Sequence, residues 1–441
     1  MIASEPISNA TPFAMQRRQF LTRTAFAAAA ISSLPGRKAF GNASIAESTP
    51  TATVGASASN ASGVPAIEKI ETFPILYPLR GHFKFFDGPP GRPAGRPAVL
   101  IKITASDGSV GWGQSVPIPK WSYETVETVV TTIQRYLAPG LVGRDPLDVA
   151  ALHRSMNAAI APSFSTGQPI CKAGLDLAFL DLGARIRRQS VATLWQRAGK
   201  GRSKLPISWT LNPKDLGEVE SLIADGKRKG YRHFNIKVGP DPKVDVELAR
   251  IVKRLAPDGF LWADANGGYT EADALAAAPK LADAGVAVLE QPLPANRLAG
   301  YRRIKQQGAL PIIMDEGIVN SAELESFIEF KLLDGVAMKP ARCGGATEAR
   351  RQIETVLSAG LMFLGSGLTD PDISLAASLV LYGSYDLHRP AALNGLQFLE
   401  GNSVLKKPLE VVNGELEVPN GIGWGVEVDE SKIDALRITA A

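Results

Sequence analysis

The sequence predicts an α/β protein in which an α+β unit precedes a parallel (β/α) barrel. Two observations favour this fold class. After Leu205, short apolar runs alternate with helical stretches, whereas before it a strand hairpin is followed by helices. A doubly wound sheet is the competing architecture, but no Gly-rich phosphate loop follows the first strand of the alternating half.

The second half of the chain contains eight apolar runs of strand length. They are Ile207–Thr210, Phe234–Lys237, Leu261–Asp264, Val286–Glu290, Ile312–Asp315, Val336–Lys339, Met362–Gly365 and Pro390–Leu393. Helical stretches such as Val244–Leu255 and Ala346–Ala359 separate them. Eight strands separated by helices are typical of a (β/α) barrel, which we assign to residues 196–399.

The first half has a different pattern. Val99–Thr104 and Val110–Gly113 flank Asp107-Gly108, a dipeptide that favours a tight hairpin. Three stretches with apolar residues at helical spacing follow. They are Thr125–Leu137, Pro146–Ala159 and Cys171–Ala184. Residues 66–195 are therefore predicted to form an α+β domain.

The N-terminus has the pattern of an export signal. Arg17-Arg18 precedes a weakly apolar stretch, Ala25–Leu34, and the small residues Gly41-Asn42-Ala43 follow. This pattern resembles a twin-arginine signal over residues 1–43, with an ordinary basic tail as the alternative. Residues 44–65 are rich in Ser, Thr and Ala and read as a flexible linker. The protein is thus expected to be periplasmic or otherwise exported.

Charge and composition exclude several classes of protein. The net charge is +4, and residues 1–43 carry five basic residues against one acidic residue, so the remainder is neutral. A neutral body gives no basis for binding nucleic acid. No apolar run is long enough for a membrane span, and Cys171 and Cys343 cannot build a disulfide framework.

Charged residues end five successive strand runs. They are Lys237, Asp264, Glu290, Asp315 and Lys339, and they follow one another at intervals of 24 to 27 residues. Because that interval is one strand-helix unit, all five are expected at the C-terminal ends of neighbouring barrel strands, where barrel enzymes carry their chemistry. Each residue alone could be a helix cap or an ion-pair partner, but the order Lys, acid, acid, acid, Lys favours one site.

Three carboxylates brought together repel one another unless a cation balances them. Oxygen ligands suit Mg²⁺, with Mn²⁺ as a possible substitute. A lysine acts as a base only when its pKa falls towards neutrality, and burial and a nearby metal ion both favour this. The pattern predicts a metal site flanked by two acid/base lysines.

Several motifs resemble the enolase superfamily, and specifically its muconate lactonizing enzyme subgroup. They are Phe234-Asn235-Ile236-Lys237, Asp264-Ala265-Asn266-Gly267, Glu290-Gln291-Pro292, Asp315-Glu316, the run Lys339 to Gly345, and the closing segment Pro419 to Val426. The mandelate racemase subgroup uses a His after the seventh strand, and residues 361–369 contain none.

The resemblance implies a (β/α)7β modified TIM barrel with an N-terminal α+β capping domain, which residues 400–441 would join. It implies Asp264, Glu290 and Asp315 as Mg²⁺ ligands and Lys237 and Lys339 as the acid/base pair. Asn235, Asn266 and Glu316 would contact the ligands or the substrate. A lid loop, Arg80–Pro97, is basic through Arg80, Lys84, Arg92 and Arg96, which favours a small anionic carboxylate substrate, with a merely solvated loop as the alternative. A homo-oligomer is also implied.

Two departures leave the substrate open. The family's Lys-x-Lys motif reads Asn235-x-Lys237, and the eighth strand has Ala392-Leu393-Asn394 where muconate cycloisomerases carry a Glu and dipeptide epimerases carry Asp-x-Asp. We expect an isomerase (a cycloisomerase, racemase or epimerase) that abstracts a proton α to a carboxylate. An acid-sugar or hydroxy-acid dehydratase, a non-catalytic carboxylate-binding protein and a lysine-dependent aldolase are the alternatives.

Overall fold

The computed structural model describes residues 63–81, 83, 85–86, 94–162, 165–399 and 401–439. In these residues the chain forms an α+β capping unit followed by a (β/α)7β barrel, as the sequence predicted. The predicted twin-arginine signal and nearly all of the linker lie outside the described residues, as does half of the predicted lid, including Lys84 and Arg92. These predictions stay predictions.

The capping unit is an antiparallel sheet covered by helices. Its strands are β1 (Ile67–Tyr77), β2 (Arg96–Ala105) and β3 (Val110–Ser115), in that order. Its helices are α1 (Val126–Thr132), continued by a π-helical turn (Ile133–Leu137), α2 (Ala138–Leu141), α3 (Val149–Ala159), α4 (Pro169–Ile186) and α5 (Val191–Leu194). The predicted hairpin is confirmed, since Thr104 pairs with Val110 and Gly108 adopts a φ of 82° in the turn.

Helix α4 is buried along nearly its whole length beneath this sheet. Strand β3 approaches it so closely that a Cβ on Gly113 would lie 1.9 Å from the carbonyl oxygen of Gly174. Glycine is therefore required on this strand for the sheet to reach the helix backbone.

The barrel elements follow in regular alternation. Strand β4 (Lys204–Pro206) precedes the barrel and belongs to a separate sheet. The barrel strands are β5 (Ser208–Leu211), β6 (His233–Lys237), β7 (Leu261–Asp264), β8 (Val288–Glu290), β9 (Ile312–Met314), β10 (Gly335–Met338) and β11 (Met362–Gly365). The helices are α6 (Val219–Arg228), α7 (Pro242–Leu255), α8 (Glu271–Asp283), α9 (Leu298–Gln307), α10 (Ser321–Glu329), α11 (Ala346–Ser358), α12 (Asp372–Ser384) and α13 (Gly395–Phe398). Strands β5 to β11 form one parallel sheet in sequential order.

The eighth predicted strand, Pro390–Leu393, is reduced to two bridges. Ala391 pairs with Ile207 beside β5, and Ala392 pairs with Ser366 after β11. The two edges of the seven-stranded sheet therefore meet through this short segment, which closes the barrel before the chain turns into α13. An apolar layer of Trp262, Val288, Ile313, Ala337, Leu364 and Ala392 fills the interior.

The C-terminal segment returns to the capping unit. Strands β12 (Val411–Val412) and β13 (Glu415–Glu417) pair with β4. Arg437 bridges Ile75 of β1, and the indole of Trp424 donates to the carbonyl oxygen of Leu177 in α4 at 2.9 Å. Among the described helices, none is both long and apolar enough to cross a membrane.

Candidate active site

The five charged residues predicted at strand ends meet at one mouth of the barrel. Lys237, Asp264 and Glu290 are the last residues of β6, β7 and β8, and they are direct neighbours in the parallel register. Asp315 and Lys339 come immediately after β9 and β10. The parallel register explains this convergence, because the C-terminal ends of neighbouring parallel strands lie side by side.

Asp264 is paired with the first lysine. Its Oδ2 accepts from the Nζ of Lys237, and its Oδ1 accepts from the backbone N–H of Asn266 at 2.8 Å. Asp264 is buried, whereas the Lys237 side chain keeps 13 % of its surface exposed. The Lys237 side chain therefore contacts the buried carboxylate and stays partly open to solvent.

Asp315 is held by two cations. Its Oδ2 accepts from the Nζ of Lys339 and its Oδ1 from the Nη1 of Arg342. Burial works to raise the pKa of Asp315, but the charges of Lys339 and Arg342 outweigh burial and lower it to about 2. Asp315 is therefore ionised throughout the physiological range.

Glu290 lies between the two paired aspartates. It is buried, and its Oε1 has no hydrogen-bond partner. Burial, together with the charges of Asp264 and Asp315, raises the pKa of Glu290 well above its usual range. A buried carboxylate oxygen without a partner is costly, so a cation at this point would stabilise the ionised form of Glu290.

Two further polar side chains belong to the same mouth. Burial and the charges of Asp315 and Asp264 raise the pKa of Glu316 to about 8, and its Oε2 has no partner. Asn266 adopts a φ of 45° and its Oδ1 is also unpartnered. Both residues lie beside the acids, and their predicted contact with a ligand or substrate stays a prediction.

These residues fit a hard divalent cation by their chemistry. Asp264, Glu290 and Asp315 offer oxygen donors from three adjacent strands, and Glu290 has an unused buried oxygen. Within the described part of the chain, however, no three such side chains already stand in a coordinating cluster. Two of the three acids pair instead with Lys237 and Lys339, so the metal assignment stays a prediction.

The second lysine is enclosed by acids and one aromatic ring. Burial works to lower the pKa of Lys339, but the charges of Asp315, Glu290 and other nearby acids raise it above its usual range. Its Nζ lies 5.1 Å from the ring centre of Trp121, which follows β3. Lys339 is therefore an ammonium group in this arrangement, and it can act as a base only after positive charge reaches these acids.

The predicted basic lid is corrected at Arg96. This residue begins β2 and is fully buried, and its guanidinium group donates to the carbonyl oxygens of Pro97, Val116 and Pro117. It supports the sheet of the capping unit and is not a solvated lid residue. Arg80 is exposed. A groove of about 580 Å³ opens beside Lys237, between Phe85 and the loops that follow β6 and β7.

Sequence reasoning missed two residues that position the acids. Arg342 was quoted only as part of a motif, yet it binds Asp315 and also donates to the carbonyl oxygen of Ala337 at 2.8 Å. The Oε1 of Gln291 accepts from the backbone N–H of Asp315 at 2.9 Å. Gln291 directly follows Glu290 and Arg342 lies three residues after Lys339, and these positions were a usable signal, because loops at this end of a barrel face the site.

Fold and site together define a barrel enzyme with two lysines flanking adjacent acids. Residues 218–432 match the family described as enolase C-terminal domain-like. Residues 94–195 match the N-terminal domain of mandelate racemase / muconate lactonizing enzyme. The chain belongs to this family, in the muconate lactonizing subgroup of the enolase superfamily, and is an isomerase of it.

Known relatives cover most of the chain. Muconate cycloisomerase 1 of Acinetobacter baylyi is 30% identical over 349 residues, which are 77% of this chain and 91% of the relative. N-succinyl-L-Arg/Lys racemase of Bacillus cereus is 26% identical over 377 residues, 84% of this chain and 98% of the relative. The crystal structure of 2-chloromuconate cycloisomerase from Rhodococcus opacus has a TM-score of 0.77 at 28% identity, and covers 85% of this chain and 99% of its own.

Proposed function

We propose that this protein is a Mg²⁺-dependent isomerase that removes a proton α to a substrate carboxylate. The observation that carries the proposal is the pair of lysines at the ends of β6 and β10. Three strands lie between these two in the curled sheet, so the ammonium groups approach the mouth from opposite sides. A substrate carbon held between them presents one face to each lysine.

The three strand-end acids would hold the metal ion. When bound, Mg²⁺ supplies the positive charge that stabilises negative charge developing on the substrate carboxylate. The same positive charge compensates the acids that otherwise pair with Lys237 and Lys339. Either lysine Nζ can then take the α-proton.

The second lysine determines the outcome of the reaction. If it returns a proton to the opposite face, the product is the mirror configuration at the α-carbon, as in a racemase or epimerase. If it only stabilises the intermediate while a ring opens or closes, the product is that of a cycloisomerase. Both reactions are named among the relatives, a muconate cycloisomerase and an N-succinyl amino-acid racemase.

The test uses a panel of small carboxylic acids in deuterated water with Mg²⁺ present. Entry of solvent deuterium into each acid is detected as a mass shift. We expect exchange with the wild-type protein and at least a 1,000-fold loss in Lys237→Ala and in Lys339→Ala, which is the upper part of the usual range for acid–base catalysis. Calorimetric Mg²⁺ binding should survive both changes. Lys305→Ala is the matched control, because this lysine also pairs with a carboxylate, Asp334, but lies on α9.

Full exchange activity in either of the first two variants would defeat the two-lysine mechanism. Binding of acids without exchange of any of them would indicate a carboxylate-binding protein instead of an enzyme. Trapping of a lysine on a carbonyl compound by borohydride would favour an aldolase.

A further inference from the structure

The loop that follows Lys237 is held by a carboxylate of the next helix. Lys237 ends β6, and α7 begins at Pro242. Asp245 lies in the first turn of α7, and its Oδ2 accepts from the backbone N–H of Gly239 at 2.8 Å. Gly239 is the second residue after Lys237. The backbone just past this lysine is therefore tied to the Asp245 side chain.

The same carboxylate oxygen binds a tyrosine from the neighbouring loop. The hydroxyl of Tyr269, which lies in the loop after β7, donates to the Oδ2 of Asp245 at 2.6 Å. The backbone N–H of Tyr269 donates to the carbonyl oxygen of Pro292, just after β8, at 3.2 Å. Asp245 and Tyr269 are both buried. These two side chains thus connect the loops that follow β6, β7 and β8.

The position of the Lys237 Nζ depends on this backbone. The N–H of Val238 donates to the carbonyl oxygen of Asp264 at 2.9 Å, so both peptide N–H groups that follow Lys237 have fixed partners. The Nζ itself donates to the carboxylate of Asp264, one of the proposed metal ligands. If that carboxylate is shared with a metal ion, the Nζ relies more strongly on the strand end from which its long side chain extends.

We propose that Asp245, supported by Tyr269, is a positioning residue that holds Lys237 in place for proton transfer. The inference rests on the proposed function and deepens it. A group that moves a proton must lie within hydrogen-bond reach of its partner, and a displacement of about 1 Å can cost about 100-fold in rate. Asp245 acts through the backbone at Gly239 and not by contact with the substrate.

The first measurement separates turnover from binding. It uses the Mg²⁺-loaded full chain and the panel acid into which the wild type introduces deuterium fastest. We expect Asp245→Ala to lower kcat about 100-fold and to leave KM within about twofold, because the proton-transfer group moves while the substrate contacts stay. Asp245→Asn keeps an acceptor oxygen for both hydrogen bonds and should retain kcat within about threefold. Tyr269→Phe removes one neutral hydrogen bond and should lower kcat about fivefold.

The second measurement asks whether Asp245 acts through Lys237. In a Lys237→Ala background, Asp245→Ala should lower the residual exchange less than about twofold, because the group that it positions is gone. If the losses from the two substitutions multiply, Asp245 acts elsewhere and the inference is wrong. Calorimetric Mg²⁺ binding should be unchanged in Asp245→Ala. Weaker Mg²⁺ binding would show that the network positions Asp264 instead, and it would also overturn the inference.

Asp334→Ala is the matched control. The Oδ2 of Asp334 also accepts from a backbone N–H at 2.8 Å, that of Ile312, but at the start of β9 and so at the opposite end of the barrel. Its kcat should match that of the wild type. If Asp245→Ala fails to fold, Tyr269→Phe, which removes only a hydroxyl, takes its place in both measurements. An unchanged kcat in the folded variants would overturn the inference while the proposed function stands. If the wild type exchanges no acid, both fall.

Discussion

At Asp315, burial and charge act on the carboxylate in opposite directions. Arg342 is 2 % exposed and contributes one of the two cations that keep this acid ionised. Removing one partner from a buried ion pair leaves the other charge uncompensated, which is far more costly than losing the attraction alone.

We therefore expect Arg342→Met to destabilise the protein by about 3 kcal/mol in denaturant unfolding. The control is Arg351→Met in α11, where an exposed arginine lies 3.8 Å from Glu325, and its expected cost is within about 0.5 kcal/mol. If both variants lost the same free energy of unfolding, the ion pair of Arg342 with Asp315 would contribute no more than an exposed ion pair.

Glu290 gives the sharpest test of the metal. Without a cation this buried carboxylate is disfavoured by burial and by Asp264 and Asp315, so Glu290→Gln should leave the metal-free protein equally or more stable. In the wild type, Mg²⁺ at 100 times its dissociation constant should add about 2.7 kcal/mol of stability through binding to the folded state.

The readout is the Tm with and without Mg²⁺. We expect a clear rise for the wild type and almost none for Glu290→Gln, because one of the three proposed ligands is lost. A rise of the same size in both proteins would place the ion elsewhere.

Some positions and contacts at the site could be predicted from the sequence, and others could not. Lys237, Asp264 and Glu290 could be placed together from their spacing, since each ends a strand and the register carries the ends into line. The salt bridges from Lys237 and Lys339 to two of the acids could not, because spacing along the chain says nothing about which way a long side chain turns.

At the scale of single elements, the N-terminus of helix α4 is bound by a buried carboxylate. The two oxygens of Glu124 accept from the backbone N–H groups of Ile170 and Cys171, each at 2.7 Å, at the first turn of the helix. Burial nevertheless raises the pKa of Glu124 from 4.5 to about 7, because it outweighs these hydrogen bonds and the charge of Lys172.

The sign of the pH effect follows from this raised pKa. Between about pH 4.5 and 7 the folded state holds a proton on Glu124 that the unfolded chain has lost, so stability falls as pH rises. We expect wild-type stability to drop relative to Glu124→Gln by about 1.4 kcal/mol per pH unit in this window. Urea unfolding at half-unit pH steps measures the difference, and a constant difference between the two proteins would contradict the raised pKa.

The eighth predicted strand is an element whose pairing could not be predicted from the sequence pattern. Pro390–Leu393 has the length and apolarity of the other runs, yet the fold uses it only as the bridges at Ala391 and Ala392. Seven strands already curl until their edges almost meet, so the last segment needs only one pairing on each side. Closure is a property of the whole sheet and is not encoded in the run itself.

For the whole molecule, the architecture could be predicted more fully than the contacts between its parts. Alternation of strands and helices identified the barrel, and the hairpin with its helices identified the capping unit. The joints between them could not be predicted, because they involve residues far apart in sequence. Asp372, the first residue of α12, accepts from Tyr77 of β1, from Ser403 at 2.5 Å and from the N–H of Val404.

A second joint connects the capping unit to the loop that follows Lys339. Asp176 of α4 is buried and accepts from the ring of His153 at 2.7 Å, from the hydroxyl of Thr347 at 2.5 Å and from the backbone N–H of Thr347 at 3.1 Å. Thr347 lies in the first turn of α11, eight residues after Lys339. The capping unit thereby holds in place the segment that carries Lys339.

Gly345, at the start of α11, makes this joint possible. Its φ is 122°, and a Cβ there would lie 2.2 Å from the Oδ2 of Asp176, so Gly345→Ala should cost about 3 kcal/mol from strain and overlap together. Gly360→Ala is the matched control, because Gly360 also has a positive φ, 68°, but no atom within 4 Å, and strain alone should cost about 1 kcal/mol. In denaturant unfolding, adding Asp176→Gly should reduce the cost of Gly345→Ala towards that of the control, since the whole overlapping side chain is gone, including its Cβ, which would lie 2.4 Å from the added one. If the free-energy costs of the two substitutions simply add in the double variant, the side chain of Asp176 on α4 does not pack against Gly345. Lys339 would then be positioned by the barrel alone.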